Sequence, residues 1–568
     1  MNYPVWELQS SGLLIAIVAI LHVFVSHFAV GGGLFLVLTE RKARRENDTA
    51  LLGYVEKHSR FFALLTLVFG AISGVGIWFT ITLVHPAATS SLINTFVWGW
   101  AIEWTFFLTE VAAAIIYYYG WKRLAPRTHL IVGWIYFAAA WLSLVVINGI
   151  LSSMLTPGRW LETRGFWDGF FNPTYWSSTV ARTLGSVGLA GLYALFTAST
   201  LEDAALKRKV ARWAGLRWVV PMALLLPLSL AWYFQAAGAA GVPLGEIFGN
   251  HATGVGAVLQ AAWHGVADQG YPVAQRASRI ALLGMALAFL ATLFVVFVRR
   301  ARYGRVSAVV LLVCGLLSIG GAEWVREGLR KPFVIGNFMY VNGVRLPAPK
   351  SVPQPPAGIG ADPFTPEALA RTGVLAASSW VRWPVGSSPE TLLPADVEVQ
   401  TRIAVEAALG REVYKLECAV CHSMDHYLAI RPLVRGKSSA TLAGLFGQLD
   451  TWRGRRMPPF VGTEEEARAL SVYLATVGGG EVSPPPAPVT GARSGAQQFE
   501  DGCAMCHAAG GDWPITRYLK GRAAPEFYEL LGRLSEINAQ MPPYEGGETE
   551  RRALAEYLAG LGSPVPAP

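Results

Sequence analysis

Charged residues are scarce in this chain. They make up only 15% of its 568 residues, whereas hydrophobic residues make up 52%. Soluble globular proteins carry about 25% charged residues, so this composition excludes a chain that is soluble throughout. The length also exceeds what one compact domain needs. We therefore expect a membrane as the partner of this chain, and no nucleic acid.

Cysteine is also scarce, with five residues in the whole chain. Cys314 stands alone in an apolar segment, where cysteine acts as a small packing residue. The other four lie in two C-x-x-C-H motifs, 418-CAVCH-422 and 503-CAMCH-507. This spacing is the attachment sequence for c-type haem, so it argues against a disulfide framework and predicts two covalent haems.

The first part of the chain contains long apolar runs. A run of about 20 residues is enough to cross ~30 Å of hydrocarbon. We predict eight spans, near residues 12–39, 61–84, 96–120, 129–154, 179–200, 218–237, 279–298 and 306–325. Span 1 contains His22 and His27 and is followed by no small-residue cleavage site, so we interpret it as a retained helix and not as a signal peptide.

Basic residues predict the orientation of these spans. Eighteen lysines and arginines fall in one set of loops, within residues 41–60, 122–127, 207–217 and 299–305. The opposite set, before residue 279, contains only Arg159, Arg164 and Arg276. Because basic loops stay on the cytoplasmic side, both chain termini are expected outside, on the periplasmic side of a bacterial inner membrane.

The last part of the chain contains an internal repeat. A Pro- and Gly-rich stretch, residues 341–394, is typical of an extended linker. Two modules follow, at residues 395–482 and 490–568, and each has a C-x-x-C-H motif, then Met-Pro-Pro, then an amphipathic helix. Two matched copies make a chance motif or a zinc half-site a poor explanation, and each module resembles a class I cytochrome c.

The chemistry of haem attachment explains this spacing. Cys418 and Cys421 would form the thioethers, and His422 would be the proximal iron ligand. Met457 follows 35 residues later and can supply its sulfur to the opposite face. His/Met ligation raises the reduction potential and leaves no open position, so these haems should carry electrons and not bind oxygen. The second module repeats the set with Cys503, Cys506, His507 and Met541.

Ionisable residues inside the predicted spans are candidate functional groups, because charge in a bilayer is costly. His22 lies within span 1, and Glu103 and Glu110 lie on nearly the same face of span 3. His85 and Glu323 fall near the outer interface, where they are either solvated or functional. His58 and His129, at the other side of the membrane, are interpreted as helix-end residues.

Residues 1–155 resemble the first four helices of subunit I of cytochrome bd-type oxygen reductases, and the likeness extends over roughly residues 1–340. The motifs that carry it are 22-HVFVSHFAVGGGLFLVLTE-40, 70-GAISG-74, 101-AIEWTFFLTE-110, 120-GWKRL-124, 148-NG-149, 157-PG-158, 172-NP-173 and 330-RKPFVIG-336. The resemblance implies that His22 is the axial ligand of an oxygen-reducing haem with Glu103 beside it. It also implies that Glu110 is the acidic residue of a proton path.

The chain departs from that family at other positions. Where the family has the histidine of its low-spin haem b, span 5 has Ala181 or Arg182, and Ala281 stands for the partner methionine. The quinol-site motif is not recognisable in residues 238–278, and Glu323 does not align with the family's third-haem glutamate. These losses resemble a bd-related branch that lacks quinol-site features and pairs two subunit I-like chains.

Two functions remain open from the sequence. The chain is either a dihaem c-type subunit of a bd-like respiratory oxidoreductase, with a haem b or d in its membrane domain, or an anchored electron conduit whose membrane domain holds no haem. In either case we predict an all-α protein. A polytopic bundle of about eight spans, residues 1–340, precedes two small helical cytochrome c domains.

Overall fold

The computed structural model describes residues 11–249, 256, 258–260, 271–347, 362–378, 398–451, 456–483, 494–507, 515–519, 522–537, 541, 544 and 546–562. The chain folds as two compact units. The first unit comprises residues 1–389 and 400–483, so it contains the membrane helices and the first cytochrome module. The second unit comprises residues 390–399 and 484–568, and it contains the second module.

Eight helices of the described residues are long and apolar enough to cross a membrane, as the sequence predicts. They are Gly12–Arg45, Thr49–Val84, Val97–Gly120, Pro126–Ser153, Tyr175–Ala198, Ala204–Ala239, Pro272–Arg302 and Arg305–Arg330, and they are called spans 1 to 8. Several of these helices are longer than the apolar run from which they are predicted, because each continues through polar residues at its end. Asp48 and Asp203 cap the starts of spans 2 and 6 by accepting backbone N–H groups.

Three spans are interrupted by a π-helical segment, a local widening that often occurs at functional sites. The segments are Leu64–Gly70 in span 2, Gly215–Val219 in span 6 and Phe294–Arg299 in span 7. The α-helical parts around them are Thr49–Ala63, Ala71–Val84, Ala204–Ala214, Val220–Ala239 and Pro272–Leu293, and a 3-10 turn, Arg300–Arg302, ends span 7.

Small residues allow the spans to pack closely, as membrane helix interfaces require. A Cβ on Gly31 of span 1 would lie 1.9 Å from the carbonyl oxygen of Ser186 in span 5. A Cβ on Gly321 of span 8 would lie 2.7 Å from the carbonyl oxygen of Ala277 in span 7. Cys314 is buried in span 8, which agrees with its predicted role in packing.

Short elements cover the end of the bundle opposite the four basic loops. They are the helices Pro86–Thr95, Trp160–Thr163, Phe166–Phe170 and Leu244–Phe248, and the antiparallel strands Phe333–Ile335 and Met339–Tyr340. Several of them share one apolar cluster, in which Phe96, Trp160 and Met339 are buried. The basic loops thus lie at one end of the bundle, and their cytoplasmic location remains a prediction.

The first module is a small helical domain around one apolar core. Its helices are Pro366–Thr372, Val374–Ala377, Val399–Glu417, Arg431–Val434, Ser439–Phe446 and Glu464–Gly478, with a 3-10 turn at Leu449–Thr451. Within the predicted linker, the helices 366–372 and 374–377 pack onto this core through Leu369 and Val374. Glu466 fixes them, because its carboxylate accepts the N–H groups of Val374 and Leu375 at 2.9 and 2.8 Å.

The second unit, like the first module, consists of short helices. They are Gly495–Gly502, Ala504–His507, Thr516–Leu519, Ala524–Leu531, Leu534–Ile537 and Glu548–Gly562. Ser494 and Gln497 form a capping box at the start of the first of these helices. Phe499, Phe527 and Leu554 are buried in its core.

Candidate haem sites

The first C-x-x-C-H motif forms a compact turn at the end of a helix. Helix Val399–Glu417 ends immediately before Cys418, whose N–H donates to the carbonyl of Tyr414 at 2.9 Å. The N–H of His422 donates to the carbonyl of Cys418, also at 2.9 Å. Both Cys418 and Cys421 are free thiols. Two unpaired thiols and an imidazole on one turn fit the attachment of a haem.

A zinc site fits these residues poorly. Zinc binds thiolates, and four protein ligands close a structural site. Burial raises the pKa of both Cys418 and Cys421. Within the described part of the chain, no group of three or more His, Cys, Asp or Glu side chains could hold a metal ion.

The imidazole of His422 is oriented as an iron ligand requires. Its Nδ1 lies 2.8 Å from the carbonyl oxygen of Leu428, and a carbonyl can only accept a hydrogen bond. Nδ1 therefore carries the hydrogen, and Nε2 presents its lone pair. Burial lowers the pKa of His422, which favours the neutral ring. This backbone bond is the kind of outer contact that fixes a ligating histidine.

The two modules share a helix crossing that the motifs alone did not reveal. Gly410 lies eight residues before Cys418, and Gly495 lies eight residues before Cys503. A Cβ on Gly410 would lie 1.9 Å from the carbonyl oxygen of Ala469, and one on Gly495 would lie 2.1 Å from that of Ala553. In each module the helix before the motif therefore crosses the closing helix at a glycine.

An aromatic pair repeats beside each crossing. Tyr414 and Tyr473 have ring centroids 5.8 Å apart with an interplanar angle of 51°, and Phe499 and Tyr557 have the same two values. Tyr414 and Phe499 each stand four residues before the first cysteine of their motif. The modules therefore have the same helix crossing and aromatic pair beside their C-x-x-C-H motifs.

The second motif repeats the turn of the first. The N–H of His507 donates to the carbonyl of Cys503 at 2.9 Å. The side chain of Cys506 lies outside the described residues. The predicted axial ligands Met457 and Met541 are both partly buried, and their role remains a prediction.

In the membrane domain, His22 is fixed in the same way as His422. Its Nδ1 lies 3.1 Å from Ser73 Oγ, and Ser73 Oγ donates its only hydrogen to a backbone carbonyl, that of Phe69 at 2.6 Å. The bond to His22 is therefore donated by the imidazole, and Nε2 presents its lone pair. The residues around His22 thus fit an axial ligand whose outer partner is Ser73.

Glu103 and Glu110 both contact span 4, as their spacing on span 3 predicts. Ser143 Oγ donates to Glu103 at 2.9 Å, and the Tyr136 hydroxyl donates to Glu110 at 2.9 Å. Hydrogen bonds hold each carboxylate in place on the less exposed side of a helix whose other residues are mostly exposed. His22 and the two glutamates do not form a protein-only metal site among the residues that the structure describes.

An ion pair occupies the face of span 5 where the resemblance would call for a haem ligand. Arg182 lies 3.0 Å from one carboxylate oxygen of Glu323, and Arg326 lies 2.8 Å from the other. The side chains of Arg182 and Glu323 are only 14% and 15% exposed. Of the two alternatives left open for Glu323, solvation is excluded, and the donor set at this position does not fit a low-spin haem.

His85 is partly buried, and its Nδ1 atom is shielded from solvent. Its Nδ1 has no hydrogen-bond partner among the described residues. Burial lowers the pKa of His85 to about 3, and the nearby charges of Lys331 and Arg330 lower it further in the same direction. His85 therefore stays neutral beside the outer end of span 8.

His58 and His129 are core residues and not simple helix ends. His129 Nδ1 lies 2.9 Å from both carboxylate oxygens of Glu40, and its Nε2 lies 2.9 Å from the carbonyl oxygen of Tyr117. The Tyr117 hydroxyl also donates to Glu40, at 2.7 Å. His58 Nδ1 lies 2.8 Å from Thr197 Oγ1. The sequence analysis did not predict the Glu40–His129 pair. The sequence indicates only that two ionisable residues lie near the ends of two spans, on the same side of the membrane.

The first module is built onto the end of the membrane domain opposite the four basic loops. Cys421 and the neighbouring Val420 pack against the apolar cluster that contains Phe96 and Met339. The rings of Trp324 in span 8 and Tyr427 have centroids 6.4 Å apart. Asn342 donates to the carboxylate of Glu417 at 2.9 Å. The first C-x-x-C-H motif therefore lies directly on the membrane domain.

Comparisons with known proteins find two matching family models and one similar structure. Residues 11–238 match the family model of cytochrome bd terminal oxidase subunit I, and residues 490–558 match that of cytochrome c oxidase, cbb3-type, subunit III. The bd oxidase from Geobacillus thermodenitrificans superposes with a TM-score of 0.48 at 13% identity, covering 58% of this chain and 89% of that one. No curated protein matches in sequence.

Proposed function

We propose that this membrane protein, which carries a cytochrome bd subunit I domain and a cytochrome c domain, is the dihaem c-type subunit of a bd-like respiratory oxidoreductase. It would pass electrons between a periplasmic donor or acceptor and a membrane haem or a partner subunit. Oxygen is the proposed terminal acceptor, reduced either in this chain or in a second subunit I-like chain. The protein is therefore proposed to be part of an enzyme.

Four residues in each module are proposed to hold a covalent haem c. In the first module, Cys418 and Cys421 attach it, His422 is its proximal ligand, and Met457 is its distal ligand. A haem held in this way supplies a one-electron couple of raised potential with no open position. The corresponding residues of the second module are Cys503, Cys506, His507 and Met541.

The observation that carries this proposal is the contact between the first module and the membrane domain. Cys421 packs into the apolar cluster at the outer end of the bundle. A module that only shuttled electrons between soluble partners would have no reason to bury its attachment segment there. The contact supports electron exchange with the membrane domain beneath it.

Within the bilayer, His22 is the proposed ligand of a non-covalent haem b or d. Ser73 fixes its tautomer, which is what a second partner of a ligating histidine does. Glu103 and Glu110 are the proposed proton-carrying groups on the adjoining helix, held by Ser143 and Tyr136.

A second candidate function is an anchored cytochrome c conduit with a haem-free membrane domain as scaffold. The Arg182–Glu323 ion pair favours it, because it occupies one position at which the related family binds haem. Both candidates share the proposed location, a bacterial inner membrane with the termini and modules on the periplasmic side. They also share the proposed division at residues 1–340, 341–394, 395–482 and 490–568.

A pyridine haemochrome spectrum of the purified chain decides between them, because it counts haem c against haem b and d. We expect two haems c and at least one non-covalent haem that is lost in His22→Ala. His27→Ala is the matched control, since it removes another histidine of the same span. Two haems c with no other haem would leave the scaffold function, and oxygen uptake would then have to occur in a partner chain.

A further inference from the structure

An excess of positive charge is buried where the first module covers the end of span 8. Arg330, Lys331 and Arg456 meet there. Glu327 pairs with Arg330 and, at 2.9 Å, with Lys331. No ion pair of Arg456 with a carboxylate is found among the described residues, and Glu246, which is exposed, adds a more distant negative charge. Three cations are thus balanced at close range by one carboxylate.

Arg456 has only one of its three nitrogens engaged. Its Nη1 donates to the carbonyl of Gly328 at 2.9 Å and to the carbonyl of Lys331. The guanidinium also lies over the ring of Tyr271, 5.5 Å from its centroid. Its Nε and Nη2 are buried and have no hydrogen-bond partner in the part of the chain that the structure describes.

Arg330 is 8% exposed, and within the described part of the chain it too has a buried nitrogen without a hydrogen-bond acceptor. Its Nη1 donates to the sulfur of Met154 at 3.4 Å and its Nη2 to Glu327, while its Nε has no partner among the described residues. Three buried nitrogen atoms on two charged side chains therefore lack an acceptor among the described residues. Because an unsatisfied buried charge is costly, the arrangement indicates an anion with several oxygen acceptors.

The position of this pocket identifies the anion. Arg456 directly precedes Met457, and the charges of Lys331 and Glu327 act on the thiol of Cys421. The unsatisfied donors thus adjoin both segments that would hold the first haem. A haem carries two propionate carboxylates, which would bring oxygen acceptors to this region.

We propose that Arg330, Lys331 and Arg456 form a carboxylate-binding pocket that holds the propionates of the haem on Cys418 and Cys421. This inference rests on the proposed function, because it requires that haem. Two of the three cations belong to the end of span 8 and its extension, so the pocket ties the cofactor of the module to the membrane domain. The three residues are positioning residues, and they also favour the reduced haem by their charge.

The test is a redox titration of the first haem in the purified full-length chain, with Arg330→Gln and Arg456→Gln. Removal of one charge about 10 Å from the iron, at an effective dielectric constant of about 20, lowers the reduction equilibrium constant about tenfold. For a one-electron couple that is about 59 mV. Arg435→Gln, at an exposed position of the same module, is the matched control and should leave the potential unchanged.

Two further readouts separate charge from structure. The propionate-bending band in the resonance Raman spectrum should shift in both variants, and Arg330→Lys should restore most of the potential. The weak charge-transfer band of a methionine-ligated ferric haem should persist in Arg330→Gln, which lies far from Met457 in the chain. If the reduction potential falls only in variants that lose this band, the loss of the methionine ligand explains the change, and the proposed pocket is wrong.

The remaining outcomes are also decisive. If the pocket binds an adventitious ion only, phosphate added at constant ionic strength will shift the potential of the unmodified chain, and the inference is wrong. If haem c is present and neither glutamine variant differs from Arg435→Gln, the inference fails while the proposed function stands. If no haem is attached to Cys418 and Cys421, the proposed function itself fails.

Discussion

Removal of the Glu323 carboxylate should destabilise the membrane domain strongly. Glu323 is shared by Arg182 and Arg326, at 3.0 and 2.8 Å. In Glu323→Gln both guanidinium groups lose their partner while they remain buried. Breaking a buried ion pair in this way costs about 3–5 kcal/mol. At a few degrees per kcal/mol, the Tm should fall by roughly 10 °C.

The assay is thermal unfolding of the purified chain in detergent, followed by circular dichroism at the helical band. Glu246→Gln is the matched control, because Glu246 is an exposed carboxylate of the same unit. A surface change of that kind stays within about 0.5 kcal/mol. The double variant Arg182→Leu/Glu323→Leu removes both charges at once, so it should be less destabilised than Glu323→Gln.

A Tm of Glu323→Gln equal to that of Glu246→Gln would contradict a stabilising role for this ion pair. It would mean that spans 5 and 8 are not joined by a buried ion pair, and the position would again be open to a haem. If Arg182→Leu/Glu323→Leu is at least as unstable as Glu323→Gln, Arg182 stabilises the fold through its packing and does not need its charge partner.

Three other outcomes follow from the structure. Ser73→Ala should lower the affinity of a non-covalent haem at His22 about 10–100-fold, measured as haem b or d retained after detergent washing, whereas Thr105→Ala, on an exposed face, should retain it. Gly410→Val should lower the stability of the first module by about 3 kcal/mol and deplete its haem c by haem staining, whereas Gly444→Ala, with open space around its Cβ, should not. His85, whose pKa is lowered to about 3, is neutral in the folded protein. Its contribution to the free energy of unfolding is therefore complete above about pH 6.5 and decreases as the pH falls below that value. The loss reaches roughly 2 kcal/mol at pH 5, and His85→Phe should remove this part of the pH dependence in thermal unfolding.

The number of spans and the two haem motifs could be predicted because each is a local signal. A run of about 20 apolar residues has no other common explanation than a membrane helix. A C-x-x-C-H motif followed by Met-Pro-Pro is equally local, and here it occurs twice. The equal offsets of Gly410 and Gly495 from their cysteines were also present in the sequence, but only the structure shows that each glycine meets a backbone carbonyl.

The ion pairs and buried histidines could not be predicted, because they depend on how the helices are rotated against one another. Arg182 and Glu323 are far apart in sequence, as are Glu40 and His129. Which faces meet is set by packing between neighbouring spans. For the same reason the sequence left Glu323 and His85 undecided, and gave no sign that Arg456 reaches the carbonyls at the end of span 8.

The most direct test of the account is the intact mass of the purified, denatured chain. Haem held by thioethers stays on the protein, so we expect a mass excess of two haems. The variant Cys418→Ser/Cys421→Ser should carry one haem, and Cys503→Ser/Cys506→Ser should also carry one. An unmodified chain with no haem mass, or a first-module variant that still carries two, would contradict the claim that this is a dihaem electron-transfer protein.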